Sequence, residues 1–161
     1  YFAMIPEALP FINTVHKVVR ARGYIKNKYK RRRRLTWDEA YKAPNALIQG
    51  CAADYIKHKI VLIYKFLMAH GYKTRMVNVV HDELVLEVHK SELHLVPKLR
   101  WLLSDFKDFR VPITAGAEKG SPSWGEKVDP GDVGFEPLTE EEMQRTLEFN
   151  VFDGSVFNLF S

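Results

Sequence analysis

The segment that most constrains the fold of this chain covers residues 75–90 and reads RMVNVVHDELVLEVHK. Two runs rich in valine and leucine flank the polar triplet His81-Asp82-Glu83. Each run is short and β-branched enough to predict a strand, and the triplet between them predicts a tight hairpin turn. Side chains of a strand alternate between its faces, whereas a turn projects neighbours from one rim. We therefore expect Asp82 and Glu83 to lie side by side at the tip of a buried hairpin.

Two adjacent carboxylates repel each other unless a cation or a basic group neutralises them. Their oxygen atoms suit Mg²⁺, which proteins bind through one or two carboxylates together with substrate phosphates. The alternative is an ordinary hairpin whose turn happens to be acidic. The triplet alone does not decide between these interpretations, because short motifs match by chance.

Charge is distributed unevenly along the chain. Residues 17–34 hold ten Lys or Arg and no acidic residue, whereas residues 129–161 hold eight Asp or Glu and one basic residue, Arg145. A basic stripe of this density predicts a polyanionic partner, and the alternative is a solvated or targeting run. Tyr24 and Tyr29 interrupt the stripe and favour an ordered hairpin over a flexible tail.

Length and composition favour one core and exclude several protein classes. A chain of 161 residues is of single-domain size, and it shows no signal peptide and no transmembrane run. The single cysteine, Cys51, precludes an internal disulfide and fits a reducing cytoplasm. We therefore expect a cytoplasmic protein that does not bind membranes.

Periodicity and capping signals predict the remaining elements. Pro10 suits the first turn of a helix that Gly23 ends, and Thr36 and Glu39 have the spacing of a capping box. Pro44 is expected to kink or split the helix that follows. The next expected elements are a basic hairpin over residues 23–35 and a long helix over 45–70 that Gly71 closes. A helix capped by Ser91 is expected to have Lys98 and Arg100 on its solvated face. The last expected segments are a strand over 111–117, a linker over 129–134 and an acidic helix over 138–149.

In this context the run VVHDELVLEV resembles motif C of the family A DNA polymerases. Three other segments resemble motifs of that family and follow in its order: GYIKNKYKRRRRL, NALIQGCAAD and VPITAGAEKGSPSW. Four matches in register are far more specific than one. The chain resembles the phage replicative polymerases of the family. It departs from the family at Asn27, where a Thr is usual, at Lys30, where a Gly is usual, and at Tyr41, where an Arg is frequent.

The resemblance implies an α+β fold made of the end of the fingers and most of a polymerase palm, with an antiparallel sheet and long helices. It divides the chain into the end of the fingers with the basic hairpin at residues 1–36, the palm with motif C at 37–128, and an acidic C-terminal tail at 129–161.

The resemblance also implies template-directed nucleotidyl transfer from a dNTP to a primer 3′-hydroxyl, with two Mg²⁺ ions. Asp82 would be a metal ligand, and Glu83 would assist at the metal or through water. His81 would contact the primer terminus, the alternative being a structural histidine at a turn.

Contacts to primer-template DNA are implied for two further groups of residues. The arginines Arg31, Arg32, Arg33 and Arg34 would meet phosphates. Asn45 and Gln49, which are four apart and share a helix face, would reach minor-groove acceptors that every base pair presents. Without the resemblance, amides on a helix would more simply cap or bridge loops.

Parts of the polymerase site have no counterpart in this sequence. These are the family's other catalytic Asp, the nucleotide-binding helix of the fingers, and the thumb. The sequence therefore predicts a complementing polymerase chain, as in a naturally split phage enzyme, or else a cleaved or truncated piece. The rival functions are a non-catalytic nucleic-acid-binding module derived from a palm, and a metal-dependent nuclease, for which no further converging ligands are evident.

The C-terminal end carries Phe157, Leu159 and Phe160 behind the acidic segment. Large apolar side chains near a terminus are seldom left in water without a partner. They are expected either to fold back onto the protein or to form a peptide that docks on a sliding clamp.

Overall fold

The computed structural model describes residues 4–120 and 125–151, and over these residues the chain is a mixed α+β protein, as predicted. Among these residues, four α-helices are accompanied by three antiparallel pairs of strands, and each pair is a separate two-stranded sheet. The chain divides into two compact units between Lys57 and His58, within its longest helix.

The first unit begins with α1, Ala8–Arg22, which ends where the sequence predicts. Pro10 lies in its first turn, where its missing N–H has no helical partner to lose. Gly23 follows with φ of 71° and donates its backbone N–H to the carbonyl of Val19. Glycine adopts this left-handed conformation without steric cost, so the helix stops here.

The predicted basic hairpin follows α1. Strand β1, Tyr24–Lys26, pairs with β2, Arg32–Arg34, so that Tyr24 faces Arg34 and Lys26 faces Arg32. Its turn is closed by Lys30, which has φ of 66°. At this position, where glycine is usual in the family that the sequence resembles, a lysine therefore accepts the left-handed conformation.

A small apolar cluster holds the first unit together. Ile25 from β1 and Leu35 beyond β2 are buried with residues of α1 and of the segment that leads into the next helix. Burying one such side chain contributes about 1.5–3 kcal/mol. The cluster consists of Val15, Val19, Ile25, Leu35, Ala40 and Ala43.

Helix α2, Ala43–Ala69, confirms the predicted long helix, but its start differs from the prediction. The reciprocal capping box does not form, because the Thr36 hydroxyl donates to the Glu39 carboxylate at 3.1 Å instead of accepting from its backbone. A 3₁₀ helix, Ala40–Lys42, precedes α2, so Pro44 lies in the first turn of the α-helix rather than at a kink. Gly71 closes the helix with φ of 67°.

The second unit contains the predicted hairpin. Strand β3, Arg75–Val80, pairs with β4, Glu83–Glu87, and a bulge falls between Met76 and Asn78. Only one side of this hairpin is covered: Leu84 is buried, whereas Val77 is 56% exposed. The hairpin is therefore only partly buried in the part of the chain that the structure describes, which corrects the expectation of a buried hairpin.

The core of the second unit lies between the C-terminal half of α2, β4 and the next helix, α3, Val96–Leu103. Phe66 and Leu95 are fully buried at its centre. The buried members are Ile63, Phe66, Leu67, Leu84, Leu95, Leu99, Leu102 and Leu138.

The entry to α3 corrects two predictions. A 3₁₀ helix, Lys90–Leu95, comes first, and its N-cap is His89, whose ring nitrogen accepts from the backbone of Ser91. Lys98 and Arg100 are not solvated. Lys98 pairs with Glu142 at 2.5 Å, and Arg100 donates to the carbonyls of Ala115 and Gly134.

The strand expected over residues 111–117 is also wrong. Ile113 forms one isolated bridge with Asp105, and Pro112 offers no backbone donor. The regular strands lie further along, where β5, Lys119–Gly120, pairs with β6, Lys127–Val128.

The acidic helix is confirmed as α4, Glu140–Glu148, and it begins with a complete capping box between Thr139 and Glu142. Residues 129–134 have no regular structure, yet the Gly134 carbonyl is bound by Arg100. Leu138 is buried and Met143 packs against the core, so this segment is part of the second unit. The apolar residues at 157–160 lie outside the described residues.

A membrane-spanning helix is not found among the residues that the structure describes.

Candidate active site and nucleic-acid surface

The acidic turn consists of His81 and Asp82, with Glu83 as the first residue of β4. Val80 and Glu83 pair directly across it, so two residues make the reversal. His81 has φ of 56°, a conformation that histidine adopts more readily than most residues but at a steric cost of about 1–2 kcal/mol. The side chains of His81 and Asp82 are exposed, and Glu83 is half-buried.

Glu83 is engaged by a cation from another part of the second unit. Its Oε2 accepts a hydrogen bond from Lys127 Nζ at 2.6 Å, and the same ammonium lies 3.0 Å from a carboxylate oxygen of Glu118. The contact with Glu83, and then that with Glu118, raises the pKa of Lys127 above its usual value, so the ammonium is charged at neutral pH. Val80, Glu83, Gly125 and Lys127 line an open depression beside the turn.

The other end of the acidic hairpin is fixed by Glu92. Its carboxylate accepts the backbone N–H groups of Lys73 and Thr74 and the Thr74 hydroxyl, at 2.7–3.1 Å. The Lys73 N–H, supported by both donors of Thr74, lowers the pKa of Glu92 to about 2. The Thr74 hydroxyl also accepts from the backbone N–H of His89, which joins the two ends of the hairpin.

The four consecutive arginines of the basic hairpin have different environments. Arg32 and Arg34 lie on the face of the sheet that Tyr24 and Lys26 share, because cross-strand partners point the same way. The guanidinium of Arg32 lies 5.1 Å from the centre of the Tyr24 ring. Arg33 is the partner of Ile25 on the opposite face. All four side chains are exposed and could contact a phosphate. Among the ion pairs of the described residues, Arg31 is the one of the four that is paired with a carboxylate.

Arg31 is held by Asp54. Its Nε lies 3.0 Å from Asp54 Oδ2, and the side chain of Asp54 is only 12% exposed. Asn27 donates to the same oxygen at 2.5 Å and to the carbonyl of Gly50 at 3.2 Å. These contacts attach the turn of the basic hairpin to α2. They explain why an Asn is suited to position 27, where the family that the sequence resembles usually has a Thr.

Asn45 and Gln49 lie one turn apart on α2, and both are exposed. Ile48 beside them is 61% exposed, so this part of the helix offers a mixed polar and apolar face to solvent. Amide donors on such a face are available to an external ligand.

The donor set at the acidic turn is compatible with part of a divalent-metal site. Asp82 is exposed and offers two carboxylate oxygens, which agrees with the small number of protein ligands that Mg²⁺ takes when phosphates complete its shell. In residues 4–120 and 125–151 no group of three or more His, Cys, Asp or Glu side chains is arranged to hold a metal. Among the described residues, the turn therefore offers too few protein ligands to hold a metal ion by itself.

Sequence reasoning missed Lys127 and Asp54 as parts of these surfaces. Both residues make contacts with residues far apart in sequence, and no spacing pattern in the sequence predicts those contacts. The available signal for Asp54 was a carboxylate in an otherwise apolar stretch of a helix, where an unpaired charge is costly.

Comparison with known proteins shows which protein family this chain is similar to. The family model of DNA polymerase family A matches residues 1–126. The chain is 35% identical over 137 residues to the DNA polymerase I of two strains of Streptococcus pneumoniae, which covers 78% of this chain and 16% of those proteins. It is 32% identical over 136 residues to the DNA polymerase I of Chloroflexus aurantiacus, which covers 78% of this chain and 14% of that protein.

The chain therefore spans about a sixth or less of the length of the curated relatives that it matches. The family match covers the basic hairpin, α2 and the acidic hairpin with its turn. On this match the chain belongs to DNA polymerase family A.

Proposed function

We propose that this chain contributes the motif C carboxylates and part of the primer-template surface to a template-directed DNA polymerase. The observation that carries the proposal is the exposed two-residue turn, His81-Asp82, followed by the half-buried Glu83, within a segment that matches family A. The reaction would join a dNTP to a primer 3′-hydroxyl with release of pyrophosphate.

Asp82 is proposed as the metal ligand of this chain. The turn presents its carboxylate to solvent beyond the ends of β3 and β4, where substrate phosphates can approach without displacing the strands. Mg²⁺, when bound there with a second ion, would lower the pKa of the primer hydroxyl and neutralise charge on the triphosphate. Glu83 would act beside Asp82, and His81 would contact the primer terminus.

The basic hairpin and α2 are proposed to bind the duplex. Lys26, Arg32 and Arg34 share one exposed face, and phosphate contacts by such a face give affinity without sequence preference. Asn45 and Gln49 are proposed to donate to minor-groove acceptors, which are similar at every base pair and therefore report pairing geometry.

The rest of the site must come from polypeptide outside these 161 residues. A complementing chain, or the remainder of a longer chain of which these residues are a piece, would supply the other catalytic Asp, the nucleotide-binding helix and the thumb. This part of the proposal is supported by the share of the relatives that the chain matches, and by the incomplete ligand set among the described residues.

A non-catalytic nucleic-acid-binding module is the second candidate. The observation that favours it is the ion pair between Glu83 and Lys127, which already neutralises one of the two carboxylates.

Primer extension separates the two candidates. The 161-residue chain alone should not extend a primer, whereas addition of the complementing polymerase half should restore extension, and Asp82→Asn in that assembly should abolish it. Extension by the isolated chain would contradict the need for a second half. An Asp82→Asn assembly with undiminished extension would leave only the binding function.

A further inference from the structure

The contact between Lys127 and Glu83 is built by two separate hairpins of the second unit. Lys127 is the first residue of β6, and the pairing with β5 puts it opposite Gly120. Glu118, two residues before Gly120, lies on the same side, and its Oε2 is 3.0 Å from Lys127 Nζ. Oε2 of Glu83 in β4 is 2.6 Å from the same Nζ. The ammonium thus bridges two carboxylates beside the acidic turn.

We propose that Lys127 is a resident counter-cation of the acidic turn, which occupies Glu83 and lowers the affinity of the turn for a divalent metal ion. The inference rests on the proposed function, because it concerns the metal site assigned there to Asp82. It makes Lys127 a positioning residue that decides how far Glu83 takes part in that site.

The physical reason is competition for the same carboxylate. An ammonium within hydrogen-bonding distance of Glu83 repels a second cation at the neighbouring Asp82 and removes an acceptor oxygen that the metal or its water would use. With Lys127 in place, the pair Asp82 and Glu83 presents a smaller net negative charge than two adjacent carboxylates would.

The exposure of the three side chains makes the contact exchangeable. Glu83 and Lys127 are 39% and 33% exposed, and Glu118 is 60% exposed, so water and salt screen the ion pairs. An ion pair of this kind can open when a stronger cation and its phosphates arrive, which a buried pair would resist.

The test is Mn²⁺ binding to the complemented assembly, with only the 161-residue chain isotope-labelled, followed through paramagnetic broadening of the amide signals of Asp82 and Glu83. Lys127→Gln should lower the Mn²⁺ concentration for half-maximal broadening about fivefold at low salt. Lys127→Arg, which keeps the charge, should leave it within about twofold. Raising the salt concentration should shrink the difference between wild type and Lys127→Gln, because the effect is electrostatic.

Lys119→Gln is the matched control. In β5, Gly120 is the cross-strand partner of Lys127, and Lys119 is the residue before Gly120. Because side chains alternate along a strand, Lys119 points to the face opposite that of Lys127. Its removal deletes the same charge and should change the half-maximal concentration less than twofold.

Asp82→Asn distinguishes the failure of this inference from that of the proposed function. If Asp82→Asn abolishes the broadening and Lys127→Gln leaves it unchanged, the metal site stands and the role of Lys127 is wrong. If Asp82→Asn has no effect, or if neither wild type nor Lys127→Gln shows broadening at the turn, the metal site itself is contradicted and the inference falls with it.

Discussion

The basic hairpin of β1 and β2 and the acidic hairpin of β3 and β4 have a similar plan with opposite charges. Each closes its turn with a non-glycine residue in a left-handed conformation, Lys30 in one and His81 in the other. Each is also contacted by a side chain of opposite charge from elsewhere in its own unit. Asp54 is the anchor of the basic hairpin, and Lys127 is the anchor of the acidic hairpin.

The two anchors differ in their exposure. The side chain of Asp54 is 12% exposed and takes two donors, Asn27 and Arg31, whereas that of Lys127 is 33% exposed. Screening by water weakens an exposed pair, while a nearly buried carboxylate loses much if its donors are removed. The difference indicates that the basic hairpin is held in one conformation, and that the acidic turn can exchange its partner.

The first prediction concerns the buried anchor and has the largest expected effect on stability. Asp54→Ala should lower the free energy of unfolding by about 1–3 kcal/mol, because Asn27 and Arg31 lose a shared acceptor. Amide hydrogen exchange of the turn between β1 and β2 reports it directly and should become faster. Asp38→Ala removes an exposed carboxylate of the same unit and should change neither quantity measurably. Unchanged exchange in Asp54→Ala would show that the hairpin does not depend on this anchor.

The second prediction tests the base of the acidic hairpin through pH. Glu92 has a pKa lowered from 4.5 to about 2, so it stabilises the fold above pH 4.5, and this contribution is lost as the pH falls towards 2. Glu92→Gln should therefore be less stable than wild type at pH 6, and the gap should close between pH 4.5 and 2. Urea unfolding at several pH values measures it. A gap that stays constant over this range would mean that the carboxylate charge is not responsible.

How far these features could be predicted depends on the range of the contacts involved. The stop at Gly23 and the turn at His81-Asp82-Glu83 are local, and short patterns predict them. The strand expected over residues 111–117 failed because alternation does not supply a partner strand, and Pro112 removes a donor.

The two anchors, Asp54 and Lys127, could not be predicted because their contacts are long-range. Lys127 and Glu83 are 44 residues apart, and Asn27 and Asp54 are 27 apart, so their meeting depends on how whole elements pack. Lys98 and Arg100 look solvated on the pattern of their helix. They are covered because residues 134–142 fold over that face and supply Glu142 and the Gly134 carbonyl as acceptors.

The third prediction separates anchored from unanchored arginines within one hairpin and has the smallest expected effect. Arg34→Gln should reduce the slope of log affinity for duplex DNA against log salt by about 0.9, the share of one phosphate contact. Arg31→Gln should reduce it less, because the Nε of Arg31 is bound to Asp54. Equal changes in slope for the two variants would show that the ion pair does not restrain Arg31 when DNA binds.

The central claim is that the acidic turn carries the chemistry while the basic hairpin carries binding, and one paired measurement tests it. Duplex affinity and single-turnover primer extension are measured on the same complemented assembly, with Asp82→Asn and with the double variant Arg32→Gln and Arg34→Gln. The account predicts that Asp82→Asn keeps duplex affinity within about twofold and loses extension by at least about a thousandfold. The double variant should lose affinity and regain its extension rate at saturating DNA. Substantial extension by Asp82→Asn, or a rate defect of the double variant that saturating DNA does not relieve, would contradict the claim.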